Sequence, residues 1–228
     1  MAKLYFRYGA MGCGKTMQLL QVAFNYEERG HKVCVIKPAT DTKNGTKLLT
    51  RIGPERETDF CFDSKMDLFA KIRADYKDVS CVLVDEAQFL APEQVDHLMQ
   101  VTTELNIPVM AYGLRLNFKC KDDGFEGATR LLQIAHEIEE LKTICECGNK
   151  ATLNARFIDD RIIVDGPDIL IDDGRSKVKY RAICPACYRK CVEKSARENA
   201  ENAEEGACEV AEKLKKARKK MPKNRDKS

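Results

Sequence analysis

The feature that most constrains this chain is a glycine-framed loop near the N-terminus, directly after the short strand-like run Leu4 to Tyr8. The loop follows the pattern GxxxxGKT and comprises Gly9, Ala10, Met11, Gly12, Cys13, Gly14, Lys15 and Thr16. In such loops backbone N–H groups surround phosphate oxygens, the lysine reaches the β- and γ-phosphates, and the final hydroxyl ligates Mg²⁺. We therefore predict a nucleoside triphosphate site between a strand and a helix. The alternative is a glycine turn without a ligand.

A second signature of phosphate chemistry lies further along the chain. Four apolar residues, Cys81 to Val84, predict a buried parallel strand, and Asp85 follows at its carboxyl end, where ligands of open α/β sheets bind. We expect Asp85 to hold Mg²⁺ together with Thr16, and Glu86 to accept a proton from a nucleophile that attacks the γ-phosphate. Without a phosphate loop, the same Asp-Glu pair would indicate only a solvated strand end.

Apolar runs alternate with helical patterns over much of the chain. The predicted strands cover residues 3–8, 32–37, 80–85 and 107–112, and the predicted helices cover residues 15–29, 65–77, 92–104 and 125–134. This alternation predicts an α/β fold in residues 1–142, with a parallel P-loop sheet of the RecA-like type flanked by helices. Two polar stretches without clear periodicity, 38–58 and 114–124, are expected to be loops near the nucleotide or its acceptor.

Composition limits the cellular setting. The 228 residues are 43% apolar, which is enough for a packed core, and no apolar run approaches the roughly 20 residues of a membrane span. Because the N-terminal residues lead into the first predicted strand, we expect no secretory signal. Eleven cysteines, an odd number, fit reduced thiols and a metal site better than a disulfide framework. We expect a cytoplasmic protein without a membrane partner.

Two close cysteine pairs predict a structural Zn²⁺ site. Cys145 and Cys147 form the first pair, Cys184 and Cys187 form the second, and a hairpin-sized segment separates them. Four thiolates complete a tetrahedral zinc shell and leave no open position for chemistry. We assign this module to residues 143–192, with Cys191 as a possible substitute ligand. The alternative is a set of unligated buried cysteines.

The C-terminal segment, 193–228, is charged and is predicted to be weakly helical or disordered. From residue 210 onward it has nine Lys and Arg residues against two acidic residues, although the whole chain carries only +3. The preceding part is therefore mildly acidic. A solvated tail is the prediction, and a nucleic-acid contact is the alternative.

Taken together, these motifs resemble the type II thymidine kinases, a cellular family with a P-loop core and a zinc-bearing lasso domain. The resemblance covers about residues 3–192. Besides the phosphate loop and the cysteines, it rests on Lys37-Pro38-Ala39 with Asp41, Arg51-Ile52-Gly53, Asp85-Glu86-Ala87-Gln88-Phe89, Tyr112-Gly113-Leu114-Arg115 with Phe118, and Leu141-Lys142-Thr143-Ile144-Cys145.

The resemblance implies that the enzyme transfers the γ-phosphate of ATP to the 5′-hydroxyl of thymidine, and also of deoxyuridine, in pyrimidine deoxynucleotide salvage. Glu86 would be the general base. ATP would contact the phosphate loop and Asp85, Glu86, Ala87 and Gln88. The implied nucleoside contacts are Phe89, Phe118, Ile169, Leu170, Ile171, Asp172 and Tyr180. The family further implies a homotetramer with dTTP as feedback inhibitor.

Some alternatives remain open at this stage. Phe89 fits a packed core as well as a nucleoside contact, and Arg115 and Arg130 fit ion pairs as well as charge stabilisation at the phosphate. The chain has Asp172-Asp173 where the lasso commonly has two glycines, which is expected to alter nucleoside and dTTP binding.

The competing function for the whole chain is a nucleic-acid-stimulated P-loop ATPase with a zinc module. A third possible function is a nucleotide-binding regulator without turnover. The intact Lys15, Thr16, Asp85 and Glu86 argue against it, because a protein without turnover has no need of a general base.

Overall fold

A computed structural model describes residues 1–40, 45–120, 124–167 and 177–200. In chain order the strands of the first part are β1 (Leu4–Tyr8), β2 (Val33–Pro38), a hairpin of β3 (Lys47–Leu49) and β4 (Glu55–Glu57), then β5 (Phe60–Phe62), β6 (Cys81–Val84), β7 (Val109–Gly113) and β8 (Glu137–Glu140). All except the hairpin form one parallel sheet with the order β5-β2-β6-β7-β1-β8.

Helices cover both faces of this sheet. They are α1 (Lys15–Glu27), α2 (Leu68–Asp75), α3 (Pro92–Glu104) and α4 (Glu126–Ile134). Alternate residues of the central strands pack on opposite faces: Val82 and Val84 join the core with α2, α3 and α4, while Cys81 and Leu83 join the core with α1. A strand buried on both faces has to be apolar throughout, which explains the uninterrupted run before Asp85. The predicted parallel sheet flanked by helices is confirmed.

The sheet differs from the prediction mainly at its edges. The edge strands β5 and β8 were not predicted, because β8 reads Glu-Ile-Glu-Glu and β5 has only three residues. Such strands are recognisable only by their pairing, of β5 with β2 and of β8 with β1. The stretch 38–58, expected to be irregular, contains the β3–β4 hairpin. Helix α2 begins at Leu68 rather than residue 65 because the Asp67 side chain accepts a hydrogen bond from the Ala70 N–H, 2.9 Å away.

The C-terminal part has its own small core. A short pair, β9 (Thr143–Ile144) and β10 (Lys150–Ala151), precedes an antiparallel sheet of β11 (Leu153–Ile158), β12 (Arg161–Ile163) and β13 (Val178–Ile183), in the order β12-β11-β13. Residues 185–200 are helical. Phe157, Ile162 and Ile183 are among the side chains of this core, which is distinct from the two cores of the parallel sheet. Within the described ranges, no helix has both the length and the apolar character needed to cross a membrane.

Candidate active site

The phosphate loop joins β1 to α1, as the sequence predicts. Gly14 has a φ of 85°, a left-handed conformation that glycine adopts at little cost, and its carbonyl accepts a hydrogen bond from the Gln18 N–H to start the helix. The helix N-terminus, which favours anions, therefore faces the loop. The Lys15 side chain is buried, and its Nζ donates to the carbonyl oxygens of Gly9 and Ala10 at 3.2 and 3.1 Å. The Lys15 ammonium group is thus held inside the curve of the loop.

Asp85 lies at the carboxyl end of β6, next to the start of α1. The Thr16 hydroxyl donates to Asp85 Oδ2 at 3.0 Å, whereas Asp85 Oδ1 is buried without a hydrogen-bond partner in the described part of the chain. Burial, together with the smaller effect of the neighbouring Glu86 charge, raises the pKa of Asp85 to about 7. Hydroxyl and carboxylate oxygens are the ligands that Mg²⁺ prefers. The unpaired buried oxygen therefore fits a magnesium ion.

Glu86 is held by a polar side chain from the turn that follows it. Its backbone is left-handed, with a φ of 49°, and the Gln88 amide nitrogen donates to Glu86 Oε2. Gln88 is 2% exposed, and its carbonyl oxygen accepts a hydrogen bond from the Leu114 N–H at 3.0 Å. A Cβ on Gly113 would lie only 2.9 Å from that oxygen, so this approach requires glycine. The end of β7 thereby orients Gln88, and Gln88 orients the carboxylate of Glu86.

A cavity of about 560 Å³ connects these groups, a size typical of small-molecule sites. Its walls include one part of the phosphate loop, the two carboxylates, the turn of the β3–β4 hairpin and the residue after β7. The lining residues of these segments are Met11, Gly12, Gly14, Lys15, Thr16, Asp85, Glu86, residues 48–52 and Leu114. The structure therefore brings together the predicted phosphate and carboxylate residues. It also places part of each unpatterned stretch, 38–58 and 114–124, at the same cavity. A second cavity of about 520 Å³ lies in the C-terminal part, away from these groups.

Two of the predicted nucleoside-contact residues meet through an arginine. Arg156 is 1% exposed; its guanidinium carbon lies 3.6 Å from the centroid of the Phe118 ring, and its Nε donates to the Tyr180 hydroxyl at 2.8 Å. Arg156 could not be predicted from the sequence, because an arginine within a short strand carries no signal that it is buried. Phe89 instead packs edge-to-face on Phe125, with ring centroids 5.4 Å apart. Ile169, Leu170, Ile171 and Asp172 lie outside the described residues.

A second missed residue, Asn154 of β11, links the two parts of the molecule. Its side-chain oxygen accepts a hydrogen bond from the Met11 N–H at 2.8 Å, and its amide nitrogen donates to the Leu116 carbonyl at 3.1 Å. Asn154 is 4% exposed. One buried amide therefore joins the phosphate loop, the segment after β7 and the C-terminal sheet.

The four predicted zinc ligands converge. The sulfur atoms of Cys145, Cys147, Cys184 and Cys187 all lie within 4.8 Å of one another. The Cys147 and Cys184 sulfurs are 3.6 Å apart, close to the roughly 3.8 Å edge of a tetrahedron with Zn–S bonds of about 2.3 Å. Gly148, with a φ of 84°, donates its N–H to the Cys145 carbonyl and closes the turn between the first pair and β10. The donor set fits a structural Zn²⁺ ion.

The two arginines considered for charge stabilisation have other partners. Arg130 of α4 donates from Nε and Nη2 to Asp96 Oδ1 of α3, at 2.9 and 2.7 Å. The Arg115 guanidinium stacks over the Tyr8 ring, 5.5 Å from its centroid. Neither residue lines the cavity that contains Lys15 and Glu86. For Arg130 the ion-pair interpretation holds.

The phosphate loop follows β1 of a parallel sheet, and a buried carboxylate follows β6. Together with a cluster of four cysteines that could hold a metal, these features define the class of P-loop proteins with a cysteine-rich module. Comparison with known families narrows this class. The thymidine kinase family profile matches residues 2–188. The chain belongs to the thymidine kinase family.

Individual relatives agree with this assignment. The thymidine kinase of Chromobacterium violaceum is 44% identical over 190 residues, covering 82% of this chain and 98% of the relative. That of Francisella tularensis subsp. holarctica is 42% identical, covering 84% and 99%. The Enterobacteria phage T4 thymidine kinase is 46% identical, covering 76% and 90%. Among solved structures, a DNA replication initiation factor aligns at a TM-score of 0.38 and 19% identity, covering 62% of this chain and 40% of the other, too weak a likeness to bear on function.

Proposed function

We propose that the protein transfers the γ-phosphate of ATP to the 5′-hydroxyl of thymidine, producing dTMP and ADP. The observation that carries the proposal is the arrangement in one cavity of Lys15, the Thr16–Asp85 pair and a Glu86 carboxylate oriented by Gln88. Membership of the thymidine kinase family supplies the acceptor. Deoxyuridine is a second acceptor, because the thymine methyl contributes only about 1–3 kcal/mol of discrimination.

The reaction follows from the positions of these groups. The phosphate loop and Lys15 bind the triphosphate, and Thr16 and Asp85 are the residues that would hold Mg²⁺. When bound, that ion neutralises charge on the phosphate oxygens. Glu86 takes the proton of the 5′-hydroxyl as its oxygen bonds to the γ-phosphorus. The bond from phosphorus to the β–γ bridging oxygen breaks, and ADP leaves with the electron pair.

For the nucleoside, we propose a site beside the Phe118–Arg156–Tyr180 cluster. Aromatic faces suit a pyrimidine base, and Arg156 fixes the ring of Tyr180 through its hydroxyl. Phe89 is retained as a proposed contact, although its ring also packs on Phe125. The segment from Ile169 to Asp172 is proposed to cover the base, as in the family. Ala87 and Gln88 are proposed to border the ATP site.

We propose that the chain is organised in three parts, as the sequence predicts. Residues 1–142 form the kinase core, 143–192 form the zinc-binding lasso module, and 193–228 form a charged tail. Zn²⁺ would be held by Cys145, Cys147, Cys184 and Cys187 and would staple a core too small to be stable alone. The ten cysteines in the described ranges are free, which fits a reducing, cytoplasmic location.

Family membership also supports a homotetramer inhibited by dTTP. Light scattering of the purified protein tests the oligomer, and a dTTP titration of the kinase reaction tests the inhibition. A monomer would overturn the first proposal, and activity unaffected by dTTP would overturn the second.

The decisive experiment incubates the protein with ATP, Mg²⁺ and each of the four deoxynucleosides, and measures nucleoside monophosphate directly. We expect dTMP from the wild type and almost none from Glu86→Gln. The comparisons do not favour the alternative of a nucleic-acid-stimulated ATPase. ATP hydrolysis that rises with added DNA, without a phosphorylated nucleoside, would nevertheless establish that alternative and reject the kinase.

A further inference from the structure

The segment that follows β7 carries Phe118 and is bound to the C-terminal part of the molecule at several points. We call residues 116–120 the Phe118 loop. The Asn154 amide nitrogen donates to the Leu116 carbonyl at 3.1 Å, and the Arg156 guanidinium covers the Phe118 ring. The Phe118 side chain itself is 3% exposed. The position of this ring therefore depends on contacts with strand β11.

A further contact comes from Tyr188 on the C-terminal helix, residues 185–200. The Tyr188 hydroxyl donates to the Lys119 carbonyl, 3.5 Å away, and also interacts with the Cys120 thiol. The Tyr188 ring packs on the small C-terminal core. This tyrosine thus joins the C-terminal helix to the Phe118 loop at the residue that follows Phe118.

The end of the Phe118 loop has a backbone conformation that needs support from outside. Cys120 has a φ of 53°, in the left-handed region, which costs a residue with a side chain on the order of 1–3 kcal/mol. Such a conformation persists only where surrounding contacts hold it. The Cys120 thiol donates to the carbonyl oxygens of Asn117 and Asn154, at 3.9 Å in each case. Together with these bonds, the Tyr188 hydroxyl supports a loop shape that the local sequence does not favour.

Tyr188 is also tied to the four-cysteine cluster. It directly follows Cys187, and its N–H donates to the Cys184 carbonyl at 2.9 Å in the first turn of the C-terminal helix. Cys184 and Cys187 are two of the four residues whose sulfur atoms converge. A displacement of these cysteines would therefore displace Tyr188 as well. One tyrosine connects the candidate zinc site to the loop that carries Phe118.

We propose that Tyr188 is a positioning residue for the nucleoside: its hydroxyl holds the Phe118 loop in the shape that binds the base, in a fixed relation to the four cysteines. The effect on the substrate rests on the proposed thymidine kinase reaction, whereas the ordering of the loop does not depend on any substrate. Without the hydroxyl the loop has this shape for a smaller fraction of the time, and the apparent affinity for thymidine decreases by that fraction. Lys15 and Glu86 lie outside the loop, so ATP binding and the chemical step should not change.

The test compares Tyr188→Phe, which removes only the hydroxyl, with Tyr76→Phe. The second variant is a matched control, because the Tyr76 hydroxyl also donates to a backbone carbonyl, that of Asp59 at 3.3 Å, and Tyr76 lies outside the ATP cavity. For both variants and the wild type we would measure amide hydrogen exchange in the Phe118 loop, kcat, KM for thymidine and for ATP, zinc content and melting temperature.

For Tyr188→Phe we expect faster hydrogen exchange in the Phe118 loop than in the wild type. KM for thymidine should rise about 3- to 10-fold, as for the loss of one neutral hydrogen bond. The values of kcat, KM for ATP and zinc content should match the wild type, and the melting temperature should match that of Tyr76→Phe. A rise in only one of the two KM values separates positioning of the nucleoside from a general loss of structure.

The outcomes separate this inference from the proposed function. Loop exchange in Tyr188→Phe equal to that in Tyr76→Phe would overturn the inference, and so would faster exchange without a rise in KM for thymidine. Loss of zinc together with a rise in both KM values would also overturn it, because the role would then be structural. If the wild type does not phosphorylate thymidine, faster loop exchange in Tyr188→Phe alone would support the ordering of the loop while the proposed function fails.

Discussion

Asp85 and Glu86 are adjacent in sequence, yet their surroundings give them different tasks. Asp85 is 3% exposed and bonded to Thr16, which suits a residue whose charge is balanced by a metal. Glu86 lines the cavity and is oriented by Gln88, which suits a residue that exchanges a proton with a substrate. The left-handed backbone at Glu86 directs the two carboxylates to these separate positions.

The first prediction concerns the general base. Glu86→Gln keeps the size of the side chain and removes its basicity, so kcat should fall by about 10²–10⁴-fold, the range for loss of a general base. Affinity for Mg·ATP should change little. Steady-state kinetics and calorimetric titration with ATP would measure both quantities. A variant with wild-type kcat would show that Glu86 is not the base.

The second prediction concerns the burial of Asp85. Its pKa rises from 3.8 to about 7 in the folded protein, so between these values the folded state holds a proton that the unfolded chain has lost. Stability of the metal-free protein therefore falls as pH rises through this window. Asp85→Asn removes that dependence and should raise the free energy of unfolding by on the order of 2 kcal/mol at pH 8, with little effect at pH 4.

Urea unfolding at the two pH values in the presence of EDTA measures this difference. Thr16→Ser retains the hydroxyl that donates to Asp85 and serves as the control, with an unchanged pH profile. Equal stability of Asp85→Asn and the wild type at pH 8 would contradict the burial argument. The variant should also lose kinase activity, because the expected magnesium ligand is gone.

The third prediction concerns Gln88, which joins Glu86 to the end of β7. Gln88→Met keeps the volume but leaves the buried Leu114 N–H unpaired and Glu86 unheld, so we expect a stability loss of about 1–3 kcal/mol. We also expect kcat to decrease more than KM changes. Thermal unfolding and steady-state kinetics would measure these effects. An unchanged kcat would limit Gln88 to a structural role.

At the scale of elements, function depends on how strand ends and loops are joined. The phosphate loop follows β1, the carboxylates follow β6, and Leu114 follows β7. These three strands are neighbours in the parallel sheet, so their carboxyl ends meet at one edge. The hairpin adds a wall from one side, and β11 adds the Asn154 bridge from another. The site is thus assembled from elements that are far apart in the chain.

The fourth prediction tests the bridge. Asn154→Ala removes the partners of the Met11 N–H and the Leu116 carbonyl, at a cost of about 1–3 kcal/mol for buried groups left unpaired. Because the Met11 N–H belongs to the phosphate loop, KM for ATP should rise as well. Asn25→Ala, at an exposed position of α1, is the control. An Asn154→Ala protein with the stability and KM of that control would show that the bridge has no energetic role.

At the scale of the whole molecule, the C-terminal part brings Asn154 and Arg156 into contact with the P-loop core and gathers four cysteines within its own core. Tyr180 and Cys184 lie on the same short stretch at and after β13, and Cys145 precedes β10. The small apolar core of this part includes Cys145 and Cys184 themselves. The candidate metal site and Tyr180 of the proposed nucleoside site are therefore parts of one folded module.

The fifth prediction follows from this arrangement. The purified protein should contain one Zn²⁺ per chain, measured by mass spectrometry of the metal. Cys184→Ala should lose the metal, lower the melting temperature and reduce activity, because the strand carrying Tyr180 loses its anchor. Cys61→Ser, on the edge strand β5, is the control and should retain zinc. Full zinc content in Cys184→Ala would rule out the four-thiolate site.

The sequence by itself determined the features that depend on local spacing. The glycines, Lys15 and Thr16 are consecutive, Asp85 and Glu86 end an apolar run, and the cysteines are close pairs, so each pattern predicts chemistry without knowledge of distant residues. The alternation of strands and helices likewise predicted the parallel sheet, since a strand covered on both faces must be apolar.

Only the tertiary structure decided which distant residues meet. Four contacts join separate elements. Arg156 is buried against Phe118, and Asn154 bonds to the Met11 N–H. Gln88 bonds to both Glu86 and Leu114, and Arg51 lies close to Gly12. The edge strands β5 and β8 also emerged only from pairing. The physical reason is that such contacts depend on strand order, register and loop path, which arise from packing of the whole chain and not from the composition of any one segment.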